Sequence, residues 1–361
     1  MYLYIILIFI IGWLLHPIIE RKYCKRTADI IFLGLMTTVC LFAMGLRDAS
    51  VGMDTETYKS FFEDYQRYNW YKIFTEKPTA QGNDTVELGL KILMKLCGEL
   101  YPNYYFYQVV FSGIYIGLFI YFIYKYTFNV ILAFAIFLGG GLFMQTFNIA
   151  RQMLAIAILA YSMIFLIEKK YILSLLSIAF AYLFHTSSIV ALIMFVVYPL
   201  RNNKVILYFT PFLMLLFLRL INDIVLPLLL NSFGEQYLRY AMSDFSRPNK
   251  GIILKLMWGS NFILSVWALY KKDSSVLRFL AILALVAVAC FIIGLSINYA
   301  DRVGLTFLPA LLILYDRFGQ TFTKTSWKKL YYNSFTAFYL IYFCYYTLTI
   351  GSISYSSIIT L

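Results

Sequence analysis

Three arginines and one histidine are the first residues of this sequence to explain, because each falls in or beside a long apolar segment. They are Arg151, His185, Arg219 and Arg302. A charge near the centre of a membrane costs about 2.5–3.5 kcal/mol on insertion scales, so one that persists usually lines a cavity or a pathway. Guanidiniums suit the binding of anions. The ordinary pKa of histidine lies nearest neutrality, which suits proton transfer.

Helix geometry places these side chains at a similar depth. At 1.5 Å per residue, Arg151 lies roughly 25 Å from the cytoplasmic end of its helix. His185 lies roughly 22 Å beyond Lys170 on the next, antiparallel helix. Arg219 reaches the same level, and Arg302 falls in an outer turn. The spacing therefore predicts one polar layer on the outer side of a membrane.

Structural roles are the alternative for each of these residues. The arginines could extend to lipid headgroup phosphates, and Arg219 could pair with Asp223 four residues later. His185 could be a polar turn residue beside Thr186. The second histidine, His16, is near the cytoplasmic end of the first apolar segment and is interpreted as structural.

A polar turn at Arg47 to Tyr58 offers groups that suit sugars. Gly52 allows the backbone to turn, Asp54 could accept a proton or bind a hydroxyl, and Tyr58 offers an aromatic face. The alternative makes Asp54 the N-cap of a surface helix and Tyr58 a packing residue. The acidic pair Asp54 and Glu56 is similar to one in the first outer loop of membrane glycosyltransferases of the GT-C type.

The composition of the chain indicates a membrane protein. The chain has 361 residues, of which 61% are hydrophobic and 13% charged, and its mean hydropathy is +0.75. Soluble globular domains do not approach this composition. The sequence predicts an all-α, polytopic membrane protein forming one domain over 1–361. About twelve spans are expected: 2–19, 29–46, 104–124, 129–147, 152–167, 171–184, 187–200, 205–230, 252–270, 276–297, 303–318 and 330–351.

Charge distribution orients these spans. The net charge of +12 comes from short basic clusters between apolar runs, which act as topology signals and do not indicate nucleic-acid binding. Placing the clusters in the cytoplasm leaves both termini outside. It also leaves a large outer loop, 47–103, and a smaller one, 231–251. An amphipathic helix at 86–100 is expected to lie along the membrane interface, where Glu87 could simply pair with Lys91.

Five motifs in order resemble the EpsG family across nearly the whole chain. They are RDASVGMDT followed by Tyr58, VELGL with Glu87, NIARQMLA with Arg151, FHTSS with His185, and DRVG with Arg302. Many members carry an aromatic residue after the late arginine, whereas this chain has Val303. EpsG proteins are Wzy-like polymerases of bacterial exopolysaccharide and capsule pathways.

The resemblance implies a glycosyltransferase with a GT-C-like architecture in the bacterial cytoplasmic membrane. It would join undecaprenyl-diphosphate-linked oligosaccharide repeat units on the outer face, next to other polysaccharide-assembly proteins. Arg151 and Arg302 would stabilise the leaving diphosphate, and either His185 or Asp54 would be the general base. The substrate-binding residues would be Arg47, Tyr58, Glu87, Gln152 and Arg219. No metal or cofactor is required if the arginines neutralise the diphosphate.

Two other classes of membrane protein remain open. A membrane O-acyltransferase would need its histidine accessible from the cytoplasm, where acyl-CoA is found. A flippase or other transporter of lipid-linked oligosaccharides would need charged residues at several depths along a pathway. The single outer layer of charge favours catalysis.

Overall fold

The computed structural model describes residues 1–52, 54–75, 86–203, 252–271, 274–294, 300–350 and 357–358. These residues form helices, with no strand among them. Within the same ranges, five helices are long and apolar enough to cross a membrane, and shorter apolar helices accompany them. The all-α fold is confirmed for these ranges, whose apolar helices fit a membrane protein, while the count of twelve spans and the GT-C-like architecture stay predictions. Arg219, the span 205–230 and the loop 231–251 lie outside the described residues.

The α-helices of these ranges are, in chain order, α1 (Tyr2–Lys22), α2 (Lys25–Gly45), α3 (Thr55–Gln66), α4 (Trp70–Thr75), α5 (Leu88–Leu100), α6 (Tyr104–Tyr126), α7 (Val130–Gly139), α8 (Ala150–Ile167), α9 (Tyr171–Tyr182), α10 (Ile193–Leu200), α11 (Ile252–Leu269), α12 (Ser275–Ile293), α13 (Ala300–Leu305), α14 (Pro309–Gln320) and α15 (Thr325–Tyr345). Two 3₁₀ segments, Met144–Phe147 and Thr186–Leu192, precede α8 and α10, and a π-helical turn, Tyr346–Ile350, follows α15.

Helix α7 lies at the centre of the bundle, since all ten of its residues are buried. A helix that is apolar on every side is stable only when other helices surround it. Packing against α14 and α15 provides that environment. Asp316 in α14 accepts hydrogen bonds from the backbone N–H groups of Phe128 and Asn129, each at 2.8 Å. These two residues come just before α7 begins. The buried carboxylate thereby satisfies backbone donors that would otherwise lack partners.

Two predicted spans are interrupted. The span 129–147 is helical only to Gly139, because the chain turns through three glycines and Gly141 has a φ of +96°. The span 303–318 is divided by a turn at 306–308, after which α14 begins with Pro309. Proline has no backbone N–H to donate but suits the first turn of a helix. Periodicity and hydropathy do not reveal such interruptions because the flanking residues remain apolar.

The predicted cytoplasmic turns meet at one end of the bundle. Arg26 donates to the hydroxyl of Tyr124 at 3.0 Å, which joins the α1–α2 turn to the end of α6. Arg278 donates to the carbonyl of Arg201 at 3.1 Å, which joins α12 to the end of α10. At the same end, the Nε2 atom of His16 lies 2.8 Å from Asp29, so this histidine joins α1 to α2.

The opposite end holds the large loop and both ends of the described chain. The ring of Tyr2 lies 6.2 Å from that of Phe147, just before α8. The N–H of Ile358 donates to the carbonyl of Leu46, at the end of α2, at 3.1 Å. Tyr2 and Ile358 therefore lie at the loop end of the bundle, and the placement of both termini outside the cell stays a prediction.

Candidate active site

A carboxylate from the large loop joins the arginine and the histidine that helix geometry places at one depth. Glu87 Oε2 lies 2.8 Å from a terminal nitrogen of Arg151, and its Oε1 lies 2.9 Å from Nδ1 of His185. The backbone N–H of Thr186 points to the same Oε1 at 3.4 Å. Each oxygen thus has its own partner, and three distant segments of chain meet at one point.

Glu87, Arg151 and His185, the site trio, each lie at the beginning of a helical segment. Glu87 is the N-cap residue of α5, Arg151 lies in the first turn of α8, and His185 precedes the 3₁₀ segment Thr186–Leu192. Helix α9 ends at Tyr182, so His185 lies in the turn of a helical hairpin. Glu87 has these two partners in place of a simple pairing with Lys91 along α5.

Helix α5 reaches His185 through a close backbone contact. The N–H of Gly89 donates to the carbonyl of Leu183 at 2.7 Å. A Cβ atom on residue 89 would lie 2.7 Å from that same carbonyl oxygen, which real Cβ atoms essentially never do. Glycine is therefore required where the loop helix meets the end of α9. Helix α5 begins two residues later than the predicted 86–100, and its location along the membrane interface stays a prediction.

Electrostatics keep Glu87 ionised. Burial raises the pKa of its carboxyl, but the hydrogen bond from His185 and the charge of Arg151 lower it by more, so the pKa lies below its ordinary 4.5. A carboxylate only accepts hydrogen bonds, so Nδ1 of His185 must donate to it. Neutral His185 then carries its proton on Nδ1 and has a lone pair on Nε2. With 24% of its side chain exposed, the imidazole is accessible for proton transfer.

Helix α3 supplies an aromatic wall beside Arg151. The guanidinium carbon lies 5.9 Å from the centre of the buried Tyr58 ring. Asp54 is the N-cap residue of α3, as its structural alternative predicts, yet its side chain makes no capping hydrogen bond. The backbone N–H of Tyr58 donates to the carbonyl of Asp54 at 3.0 Å. Asp54 and Tyr58 therefore belong to the neighbourhood of Arg151.

The turn that opens the loop is held by close packing against the residues before α8. Gly52 has a φ of +102°, and a Cβ there would lie 1.9 Å from the carbonyl oxygen of Phe147. The guanidinium of Arg47 lies 4.5 Å from the centre of the Phe147 ring. Arg47 is only 4% exposed, so its guanidinium packs inside the protein against Phe147. Substrate binding by Arg47 stays a prediction.

Gln152 connects the trio to the late arginine. Its Nε2 donates to the backbone carbonyl of Arg302 at 2.6 Å, which joins the first turn of α8 to α13. The Arg302 side chain is exposed, and the backbone N–H of Arg302 donates to Asp301 Oδ1 at 3.0 Å. The residue that follows Arg151 is thus hydrogen-bonded to the backbone of the late arginine. Gln152 itself is buried, and its hydrogen bond fixes the backbone of Arg302. Substrate binding by Gln152 stays a prediction.

No group of three or more His, Cys, Asp or Glu residues with metal-binding geometry occurs within the described ranges. In these ranges, the cationic side chains near the candidate site include those of Arg151 and Arg302.

The sequence comparisons identify the family. The EpsG family model matches residues 30–359, nearly the whole chain. The chain belongs to the EpsG family. No curated protein and no solved structure matches it significantly. Membership indicates a membrane protein of polysaccharide biosynthesis with a polymerase-like function.

Glu87 is a predicted substrate-binding residue, but its position between Arg151 and His185 could not be predicted from the sequence. The available signal is the Glu-Leu-Gly sequence at 87–89, in which a glycine follows an acid at the start of a helix. That pattern indicates a close backbone approach but does not reveal the partner. Glu87 and His185 are 98 positions apart in the sequence, which leaves the pairing open without a tertiary structure.

Proposed function

We propose that this protein is a polysaccharide polymerase that joins repeat units carried on undecaprenyl diphosphate, on the outer face of the bacterial cytoplasmic membrane. The observation that supports this most directly is the Glu87 carboxylate between Arg151 and His185. It brings together a guanidinium, a group able to bind phosphate, and an imidazole, a group able to accept a proton. Glycosyl transfer from a lipid diphosphate needs both groups.

In the proposed reaction, Nε2 of His185 removes the proton from an acceptor hydroxyl of the next repeat unit. The hydroxyl oxygen attacks the anomeric carbon of the growing glycan and forms the new glycosidic bond. The bond between that carbon and the diphosphate oxygen breaks, and its electron pair leaves with the undecaprenyl diphosphate. The atoms and charges balance without a metal ion.

Glu87 is the positioning residue of this scheme. Its carboxylate fixes the imidazole with the proton on Nδ1, so the lone pair of Nε2 faces the acceptor. When His185 gains a second proton, the negative charge of Glu87 stabilises the imidazolium, which is the logic of a Ser-His-Asp triad. General bases of this kind contribute typically 10²–10⁴-fold to a rate.

Arg151 and Arg302 stabilise the negative charge that develops on the leaving diphosphate. A guanidinium has five N–H hydrogens, so the contact with Glu87 does not exhaust the donors of Arg151. Fixed donors of this kind need no reorganisation as the bond breaks. Asp54 is the alternative base, since it lies on the helix that carries Tyr58 against Arg151. Arg47, Tyr58, Gln152 and Arg219 remain proposed contacts to the substrate.

Profiling lipid-linked glycans in a strain that lacks this gene tests the proposal. A polymerase predicts single repeat units accumulating on the carrier at the outer face. Accumulation at the inner face would support a flippase instead. Unchanged polymer that lacks acyl groups would support an O-acyltransferase.

A further inference from the structure

An apolar cavity of about 450 Å³ lies among α7, α11, α12, α13 and α15. Most of its lining is hydrocarbon, including Leu138, Phe262, Val288 and Ile292. We propose that this cavity binds the polyprenyl chain of the lipid-linked donor. The proposal rests on the proposed function and adds where the lipid part of the substrate lies.

The cavity adjoins the candidate active site through two adjacent residues of α13. Asp301 lines the cavity, and Arg302 follows it in the sequence. The carbonyl of Arg302 accepts a hydrogen bond from Gln152, the neighbour of Arg151. A diphosphate held by the two arginines would therefore have its first isoprene units beside Asp301, at the edge of the cavity.

The lining excludes the sugar part of the substrate. A buried sugar needs a hydrogen-bonding partner for each hydroxyl, because an unpaired polar group is costly in an apolar environment. The polar side-chain groups of the lining are few, namely those of Gln145, Lys255 and Asp301, the hydroxyls of Tyr342 and Tyr346, and the indole N–H of Trp258. A hydrocarbon chain needs no such partners and gains from the burial of apolar surface. The cavity therefore fits the isoprenoid, and the glycan must extend toward the loop.

Two aromatic rings form a flat part of the wall. Trp258 of α11 and Phe291 of α12 stack with their ring centres 3.7 Å apart and their planes at 21°. Both side chains line the cavity. A rigid aromatic surface suits the planar double bonds and methyl branches of an isoprenoid, and it gives photolabelling experiments two defined positions to detect.

Gly259 provides a way to fill the cavity without disturbing the helices. It lines the cavity, and a Cβ atom at this position would have no atom within 4 Å. Gly113 of α6 has equally open space and does not line the cavity, so it provides a matched control. A leucine at 259 would occupy space that the polyprenyl chain needs, whereas a leucine at 113 would not.

The test uses full-length protein in lipid nanodiscs. The probe is a sugar-free polyprenyl diphosphate with a diazirine on one of the isoprene units next to the diphosphate. We expect labelling of Trp258, Phe262 or Phe291, which excess unlabelled polyprenyl diphosphate prevents and excess phosphatidylglycerol does not. Gly259→Leu should reduce labelling at least about tenfold, because the leucine side chain takes up space that the isoprenoid would otherwise occupy. Gly113→Leu should label as the wild type does.

Kinetics separate this inference from the proposed function. Gly259→Leu should raise the KM for the lipid-linked donor about tenfold with kcat nearly unchanged, because the hydrocarbon chain is bound equally before and during the reaction. Wild-type labelling and KM in Gly259→Leu would overturn the cavity assignment in a protein that still polymerises. Specific labelling of the cavity in a protein that makes no polymer would overturn the proposed function and retain the lipid site. Equal competition by phosphatidylglycerol would overturn the assignment in favour of an ordinary membrane lipid.

Discussion

Glu87 Oε1 lies 2.9 Å from Nδ1 of His185, although the two residues are 98 positions apart in the sequence. This contact fixes the position and the tautomer of the imidazole. It also ties the large loop to the helical hairpin of α9 and α10. The proposed roles of Arg151, His185 and Glu87 all depend on this arrangement.

Replacing Arg151 by lysine should be nearly as damaging as replacing it by alanine. One ammonium cannot reproduce the two-pronged contact of a guanidinium with a diphosphate. Loss of a preorganised donor typically costs about 10²–10³ in kcat. Turnover of lipid-linked repeat units by purified Arg151→Lys, at normal expression, measures the effect.

Arg67→Lys is the matched control for this change. Arg67 ends α3 in the same loop, and its side chain is 78% exposed. This variant should polymerise normally. Normal turnover in Arg151→Lys would instead make Arg151 an anchor to lipid headgroups.

His185→Ala should retain binding of the lipid-linked donor and lose polymerisation. The imidazole would contact the acceptor hydroxyl, while the arginines hold the diphosphate. Loss of a general base should lower kcat about 10²–10⁴-fold. Binding and turnover, measured on the same purified variant, separate the two effects.

Comparing His185→Gln with Asp54→Asn decides which residue is the base. Glutamine can donate a hydrogen bond to Glu87 but cannot accept a proton at neutral pH. We expect little activity in His185→Gln. Near-normal turnover in His185→Gln with none in Asp54→Asn would assign the base to Asp54.

Glu87→Gln should destabilise the protein by about 1–3 kcal/mol, because it leaves Arg151 without its ionised partner. The pKa of Glu87 is lowered in the fold, so the carboxylate stabilises the protein above about pH 4.5. That contribution is lost as the pH falls through the lowered pKa. The difference in Tm between wild type and Glu87→Gln should therefore be constant near neutrality and shrink below about pH 4.5.

Glu99→Gln, in the same helix, is the control for this measurement. Glu99 is 46% exposed and lies 3.5 Å from Lys95. Exposed pairs contribute little, so the Tm of this variant should remain close to that of the wild type. An equal loss of stability in both variants would contradict a special role for Glu87.

Gly89→Ala should reduce both stability and turnover. The added methyl group would meet the carbonyl oxygen of Leu183 and move α5 away from His185. Gly117→Ala, in α6, has no atom within 4 Å of the new Cβ. It should be neutral or slightly stabilising, because alanine is the better helix former. Wild-type turnover in Gly89→Ala would show that the site tolerates a displaced loop helix.

Cysteine labelling tests the orientation in the membrane. In a background without the native cysteines, Tyr71→Cys should react with an impermeant maleimide on intact cells. Asn203→Cys should react only after permeabilisation. Both positions are exposed, so access depends on the side of the membrane. The reverse pattern at either site would overturn the predicted topology.

Much of the membrane fold could be predicted because hydropathy is a local property. The helices α1, α2, α6, α8 and α12 are long apolar runs, and each falls on a predicted span. The shared depth of Arg151 and His185 could be predicted as well, since it depends only on the rise per residue of two neighbouring helices. Interruptions at Gly141 and Pro309 could not, because an apolar run gives no signal where packing allows a turn.

The sequence by itself determined that Arg151 and His185 lie at a similar depth in the bundle, since depth follows from residue counts along each helix. Only the tertiary structure decided which of them touch. Glu87 could pair with Lys91 along its own helix, yet the contact of Gly89 with Leu183 brings it to Arg151 and His185 instead. The physical reason is that rotation and lateral position of a helix depend on packing against its neighbours. No local property of the chain records that packing.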